Sequence, residues 1–150
     1  MTGEPVEILL VEDTPDHAEM TVRALRKFNI SNPIQVVADG AEAIEILCAK
    51  DHERNAGLKL VLLDLKLPGI DGIEVLRRIR ENPSTRGISV IILTASQEER
   101  DAQACRELGV HSYIVKPVDF QKLTDAVRTT RFYWDTVDFY RVLFSHIPGG

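Results

Sequence analysis

Short apolar runs alternate five times with helical segments along the chain, and this alternation limits the folds that the chain can adopt. Parallel strands that neighbour each other need a long crossover between them, usually a helix, and such crossovers are right-handed. The pattern therefore predicts an α/β fold, a doubly wound five-stranded parallel sheet. The expected strands are residues 6–11, 34–38, 60–63, 89–93 and 112–115.

Helix start and stop signals lie between these strands. Thr14 followed by Pro15 predicts an N-cap and a first-turn proline for a helix that runs to about Lys27. Pro83 and Gly109 mark the ends of two later helices. The other helix starts have capping residues: Asp39, Asp71 and Ser96 in capping boxes, and Asp119 before the last helix.

The third strand carries the most informative ending. Residues 60–63 are apolar on both faces, as in a central strand covered on both sides, and the run stops at Asp64. Ligands of open α/β sheets bind at the carboxyl ends of the strands, and Pro68-Gly69 turns the chain away from that edge. The residues that end the strands at this edge are Glu12, Asp13, Asp64, Thr94 and Lys116.

These residue types together suit phosphoryl transfer. Carboxylates that lie close together repel each other, and Mg²⁺ with its preference for oxygen ligands neutralises them. With Lys116 opposite, a phosphoryl group could approach Asp64, which could attack phosphorus and form an aspartyl phosphate. Thr94 would donate its hydroxyl to a phosphoryl oxygen.

Each of these residues, taken alone, is better explained by a structural role. Asp64 could be a turn residue, Thr94 a β-branched strand end and Lys116 a solvated charge. If all of these roles were structural, independent strand ends would present a set of phosphoryl-transfer residues by chance. The combination therefore favours a phosphoryl-transfer site. The scattered histidines, by contrast, are interpreted as solvated surface residues: His17, His52, His111 and His146.

Five motifs lie at or beside these strand ends: Leu10-Val11-Glu12-Asp13, residues 62–69, Asp71-Gly72, Thr94-Ala95 and Lys116-Pro117. In this combination the chain resembles the receiver domains of two-component response regulators, from residue 6 to about residue 130. The resemblance implies a (βα)5 flavodoxin-like receiver fold that a histidine kinase phosphorylates on an aspartate. Receivers of this family often have a cis peptide bond between the lysine and the proline that match Lys116 and Pro117.

The resemblance implies a role for each matching residue. Asp64 would be the phosphoacceptor, Lys116 would pair with the phosphate, and Thr94 would move toward it. Tyr113 matches the aromatic switch position, where the ring turns inward as Thr94 moves; a core aromatic residue with its hydroxyl at the surface explains Tyr113 nearly as well. The implied ligands of Mg²⁺ are Asp13, Glu12 directly or through water, Asp64 and the backbone carbonyl of Lys66.

Composition excludes several classes of partner. A net charge of −5 and a pI near 5.4 argue against broad nucleic-acid binding. No apolar segment approaches the roughly 20 residues of a membrane span, so we expect a cytoplasmic protein. Cys48 and Cys105 lack metal-ligand spacing and are expected to be reduced, half-buried thiols.

The last part of the sequence departs from a minimal receiver. We expect a short tail at residues 1–5, a receiver domain at 6–130, and an extended aromatic C-terminal helix and tail at 131–150, without a separate output domain. The tail either folds back over its own domain or forms a homodimer through the last helix; we favour the dimer. The expected interface residues are Phe132, Trp134, Tyr140 and Phe144.

With its aromatic tail and its long loop at residues 51–59, the chain resembles the stand-alone regulators that partner bacterial phytochromes. This resemblance implies a phytochrome-like sensor kinase. The predicted function is a response regulator that accepts phosphate on Asp64 and signals by protein contact or phosphorelay. It would be a phosphoacceptor switch and not an enzyme. Mg²⁺-dependent phosphatases that work through an aspartyl phosphate usually have a second aspartate two residues after the nucleophile, and here that position is Lys66. The alternative is a phosphorylation-independent interaction module with a receiver fold.

Overall fold

The computed structural model describes residues 6–48 and 57–130, and five strands and five helices alternate within them. The strands are β1 (Ile8–Val11), β2 (Ile34–Val37), β3 (Leu60–Leu63), β4 (Ser89–Thr94) and β5 (Ser112–Val115). The helices are α1 (Pro15–Lys27), α2 (Gly40–Leu47), α3 (Gly72–Glu81), α4 (Glu99–Glu107) and α5 (Phe120–Arg128). The predicted alternation is confirmed, with the boundaries of β3 and β5 as predicted and the others shifted by at most three residues.

The strands form one parallel sheet in the order β2-β1-β3-β4-β5. After β1 the chain passes to β2 on one side and then crosses back to β3 on the other, so the winding direction changes between β1 and β3. The register pairs Val11 with Leu63 and Leu63 with Ile92, which aligns the carboxyl ends of the three central strands. In doubly wound sheets the crevice lies at such a switch point.

The core has two layers, one on each face of the sheet. Val61 and Leu63 pack with residues of α2, α3 and α4, whereas Leu60 and Leu62 pack with residues of α1 and α5. All four side chains of β3 are 0% exposed. This double burial confirms that β3 is a central strand, as its unbroken apolar run predicts.

Three of the predicted caps are confirmed. Asp39 accepts from the Glu42 amide over 2.8 Å, and Asp71 accepts from the Glu74 amide over 3.0 Å. Asp119 accepts from two amides at the start of α5. These bonds satisfy amide groups that have no partner within the helix.

The other two cap predictions have different outcomes. Thr14 is the N-cap of α1 and Pro15 is its first residue, as predicted, although the Thr14 side chain makes no capping bond. Ser96 does not open α4, which begins at Glu99 after Glu98 as the N-cap. The Ser96 hydroxyl instead accepts from the Glu98 amide and donates to Asp101 over 2.5 Å, so Ser96 belongs to the loop after β4.

The two cysteines also differ from the prediction. Both are free thiols, but neither is half-buried: Cys105 is fully buried and Cys48 is exposed. Cys105 lies on the face of α4 that packs against the sheet, whereas Cys48 follows the last residue of α2.

Several predictions lie outside the described residues. These are the N-terminal tail, most of the loop at 51–59, the C-terminal helix after residue 130, and the proposed interface residues Phe132, Trp134, Tyr140 and Phe144. Within the described ranges, no helix is long and apolar enough to cross a membrane.

Candidate functional site

Two acidic residues follow β1 directly and differ in exposure. Glu12 is buried at 4% exposure, and its amide donates to the Val37 carbonyl over 2.9 Å, which extends the β1–β2 ladder by one residue. Asp13 is exposed. The end of β1 therefore presents one buried and one solvated carboxylate beside the switch point.

Asp64 follows β3 and lies beside them. Its amide donates to the Val11 carbonyl over 3.1 Å, and its carboxylate Oδ1 accepts from the Lys66 amide over 3.0 Å. The Gly72 amide closes the following loop on the Leu65 carbonyl over 2.9 Å. These backbone bonds hold the buried carboxylate of Asp64 at the edge of the sheet.

Lys116 brings a positive charge to these carboxylates from the end of β5. Its Nζ donates to Glu12 Oε1 over 2.6 Å and to Asp64 Oδ2 over 3.0 Å. The side chains of Lys116, Glu12 and Asp64 are only 12%, 2% and 7% exposed. The peptide bond between Lys116 and Pro117 is cis, as the family resemblance led us to expect.

The charges perturb one another in this partly desolvated site. Burial raises the pKa of Glu12 above its ordinary value, although the hydrogen bond from Lys116 opposes that rise. Burial alone would lower the pKa of Lys116, but its bonds to Glu12 and Asp64 outweigh burial and raise the pKa. Lys116 is therefore a firmly charged ammonium and acts only as a donor.

The three carboxylates fit a divalent cation. Glu12, Asp13 and Asp64 each offer an oxygen atom, and these atoms lie within 4.8 Å of one another. An all-oxygen set at an open sheet edge is the kind of site that Mg²⁺ or Mn²⁺ occupies while it keeps bound water. The Lys66 amide donates to Asp64 Oδ1. That the Lys66 carbonyl binds the cation stays a prediction.

Thr94 and Tyr113 are connected through one loop residue. Thr94 is fully buried at the end of β4, and its Oγ1 accepts from the Ser96 amide over 3.2 Å. The hydroxyl of Tyr113 donates to the Ser96 carbonyl over 3.0 Å. The half-buried Tyr113 therefore lies against the loop that follows Thr94, with its hydroxyl bonded to the main chain of that loop.

Sequence reasoning missed two residues beside the site. His17, interpreted as a plain surface residue, is exposed, but its Nδ1 lies 3.0 Å from Lys116 Nζ. Asp101 accepts from Ser96 and lies 3.7 Å from Lys66 Nζ. The available signal was helix position, because His17 is in the first turn of α1, immediately beyond the carboxyl end of β1.

The comparisons with known proteins agree with this geometry. The family model of the response regulator receiver domain matches residues 8–128. Response regulator Rcp1 of Synechocystis sp. is 34% identical over 134 residues, which cover 89% of this chain and 91% of Rcp1.

Solved structures give the same assignment. The bacteriophytochrome response regulator RtBRR has a TM-score of 0.72 at 42% identity, covering 83% of this chain and 76% of its own. The phosphorylated cyanobacterial phytochrome response regulator RcpA has a TM-score of 0.72 at 31% identity, with 90% and 98% covered. The Mn²⁺-bound form of Rcp1 also has a TM-score of 0.72 at 34% identity, with 89% and 98% covered. The chain belongs to the response regulator receiver domain family.

Proposed function

We propose that Asp64 is the phosphoacceptor of this receiver, and that a sensor histidine kinase supplies the phosphoryl group. The observation that carries the proposal is the position of Asp64 at the carboxyl end of the central strand, 3.0 Å from the Lys116 ammonium and beside two further carboxylates. A surface aspartate without a function would not need this surrounding of fixed charges. The signal would then pass by protein contact or by transfer of the phosphate to another protein.

The chemistry follows from the charges of this chain. A carboxylate oxygen of Asp64 attacks phosphorus, the new O–P bond forms, and the bond to the donor's leaving group breaks with its electron pair staying on that group. The Lys116 ammonium provides the positive charge that faces the incoming phosphoryl oxygens. Thr94 would move to donate its hydroxyl to one of these oxygens, and Tyr113 would respond through the Ser96 loop.

Mg²⁺ is the proposed cofactor, held by Asp13, Asp64, the Lys66 carbonyl and Glu12 directly or through water. When bound, it would offset the negative charge that the phosphoryl group brings next to the carboxylates. The proposal is supported by the all-oxygen ligand set and by the Mn²⁺-bound form of the relative Rcp1.

The proposed kinase is phytochrome-like. The support is the similarity to bacteriophytochrome and cyanobacterial phytochrome response regulators, at 42% and 31% identity. We also propose a homodimer through the aromatic residues after residue 130, and action in the cytoplasm without nucleic-acid or membrane partners. We expect phosphorylation to strengthen this self-association. Sedimentation with and without beryllofluoride tests both claims, because the mass of a monomer in both conditions would contradict the dimer, and equal masses would contradict the effect of phosphorylation.

We further propose that the protein is a switch and turns over no external substrate. Lys66 stands two residues after Asp64, where a phosphatase of this type would need a second acid. A phosphorylation-independent module is the second candidate, but it would not need the bonds of Lys116 to both Glu12 and Asp64.

The test is the intact-protein mass after incubation with Mg²⁺ and acetyl phosphate, or with a phosphorylated histidine kinase. We expect one added phosphoryl group that depends on Mg²⁺ and is absent from Asp64→Ala. Asp125→Asn, a change at an exposed carboxylate on α5, is the matched control and should be phosphorylated like the native chain. An adduct that persists in Asp64→Ala, or no adduct from either donor and no beryllofluoride binding, would contradict the proposal.

A further inference from the structure

We propose that His17 is a positioning residue for Lys116 and so a further member of the phosphoacceptor site, an inference that rests on the proposed function of Asp64. The observation is the 3.0 Å contact between His17 Nδ1 and Lys116 Nζ, which joins α1 to the end of β5 across 99 positions of the chain. No motif at the strand ends includes this histidine.

The direction of the hydrogen bond follows from the charge on Lys116. An ammonium group has three N–H donors and accepts nothing, so His17 Nδ1 must be the acceptor. The imidazole is then neutral and carries its proton on Nε2. Glu12, Asp64 and His17 together provide three acceptors for the three donors of Lys116.

His17 differs from the other two acceptors in a way that matters for the reaction. The carboxylates of Glu12 and Asp64 also have other proposed roles: Glu12 is a metal ligand, and Asp64 is both a metal ligand and the nucleophile. Once they are engaged, their hold on Lys116 weakens. His17 is a neutral acceptor with no other role in the proposed reaction, so it can hold the Lys116 ammonium in the direction of the phosphoryl group throughout.

The fold places His17 where this contact is maintained. Pro15 opens α1, which puts His17 in the first turn of the helix. His17 also lines a recess between α1 and the start of α5, together with Met20, Val118 and Phe120, and Glu12 and Lys116 line the same recess. The imidazole therefore lies where mainly apolar side chains meet the charged site.

The experiment compares three variants by their phosphoryl uptake from acetyl phosphate with Mg²⁺. His17→Phe keeps a ring but removes the acceptor, and we expect uptake to fall about threefold to tenfold, the loss of one solvent-exposed hydrogen bond of ordinary strength. His17→Asn restores an acceptor oxygen near the Nδ1 position and should recover most of the native rate. His111→Phe makes the same change at an exposed histidine beside β5, at the opposite edge of the sheet, and should behave like the native chain.

A second readout does not depend on phosphorylation. The rate of Lys116 acetylation by acetic anhydride, measured by mass spectrometry relative to the exposed Lys122, should rise in His17→Phe and return toward the native rate in His17→Asn. Native uptake and native Lys116 reactivity in His17→Phe would overturn the inference. So would a His17→Asn variant as impaired as His17→Phe, because then the ring and not its acceptor matters. If the native chain takes up no phosphoryl group from acetyl phosphate or from a phosphorylated histidine kinase and binds no beryllofluoride, but Lys116 reactivity still depends on His17, the proposed function fails and the positioning role stands.

Discussion

The hydroxyl of Tyr113 donates to the carbonyl of Ser96 over 3.0 Å, while the amide of the same Ser96 donates to Thr94 Oγ1 over 3.2 Å. One loop residue thus connects the buried threonine at the end of β4 with the tyrosine of β5. A movement of Thr94 would therefore change its hydrogen bond with the Ser96 amide, and the carbonyl of the same Ser96 accepts from Tyr113.

This connection predicts non-additive stability losses. Tyr113→Phe should lower the free energy of unfolding by about 1 kcal/mol, and Thr94→Val by about 1–3 kcal/mol because the Ser96 amide loses its partner. The double variant should lose less than the sum, since both changes loosen the same loop. Urea unfolding of the four proteins measures this cycle, and strictly additive losses would contradict the connection.

Removal of the Lys116 ammonium should strengthen metal binding. The ammonium is bonded to Glu12 and Asp64, which are two of the proposed ligands of the divalent cation. Calorimetric titration of Lys116→Met with Mg²⁺ should therefore give a lower Kd than the native chain, although its phosphoryl uptake becomes slower. Lys122→Met, a change at an exposed lysine, serves as the control. Weaker Mg²⁺ binding by Lys116→Met would show that the ammonium does not compete for these oxygens.

Gly72 should tolerate no side chain. A Cβ atom at this position would meet the Asp64 carbonyl oxygen and the Leu65 backbone, so the loop that carries Asp64 would have to shift. We expect Gly72→Ala to lower the free energy of unfolding by about 1–3 kcal/mol and to impair phosphorylation. Gly87→Ala is the matched control, because nothing lies within 4 Å of its Cβ position. Equal thermal stability of the two variants would refute the close packing.

Arg80 should be a strong stabilising residue despite its lack of an acidic partner among the described contacts. Its guanidinium donates to the carbonyls of Arg86, Ile88, Leu108 and Gly109, which fastens α3 to two loops. Arg80→Met leaves these carbonyls without their donor and should cost about 2–3 kcal/mol in urea unfolding. Arg77→Met, a change at an exposed residue of the same helix, should cost much less.

Cys105 should make the protein less stable in alkali. Burial, with a smaller contribution from Asp101, raises the pKa of its thiol from 9.0 to about 11. The native state keeps a proton there that the unfolded state loses, so this contribution is complete below pH 9 and disappears as pH rises through about 11.

The corresponding loss is about 3 kcal/mol for the native chain, and the decline should be shallower in Cys105→Ala. Urea unfolding at several pH values measures both slopes, and identical slopes would contradict the prediction. Lys116 also has a raised pKa, which contributes equally to both proteins. Burial raises the pKa of Tyr113 with a smaller contribution from Cys105, so Cys105→Ala also removes that smaller contribution.

Much of the fold was predictable because it rests on local patterns. The double-sided apolar run of β3 could only be a covered central strand, and Asp39, Asp71 and Asp119 capped their helices through bonds to amides two or three residues away. Ser96 does not cap α4: its hydroxyl donates to Asp101 and accepts from the Glu98 amide, and its own amide donates to Thr94. The contacts with Asp101 and Thr94 depend on where α4 and β4 lie relative to each other.

The alternation of strands and helices follows from local sequence patterns. The same patterns put five residues at one edge of the sheet, because parallel strands all end on one side: Glu12, Asp13, Asp64, Thr94 and Lys116. Which of these groups touch depends on packing, since the order β2-β1-β3-β4-β5 sets β1 beside β3, and packing of α1 brings His17 to Lys116. The end of a strand depends on neighbours in the chain, whereas a hydrogen bond across 99 positions depends on how separate elements pack.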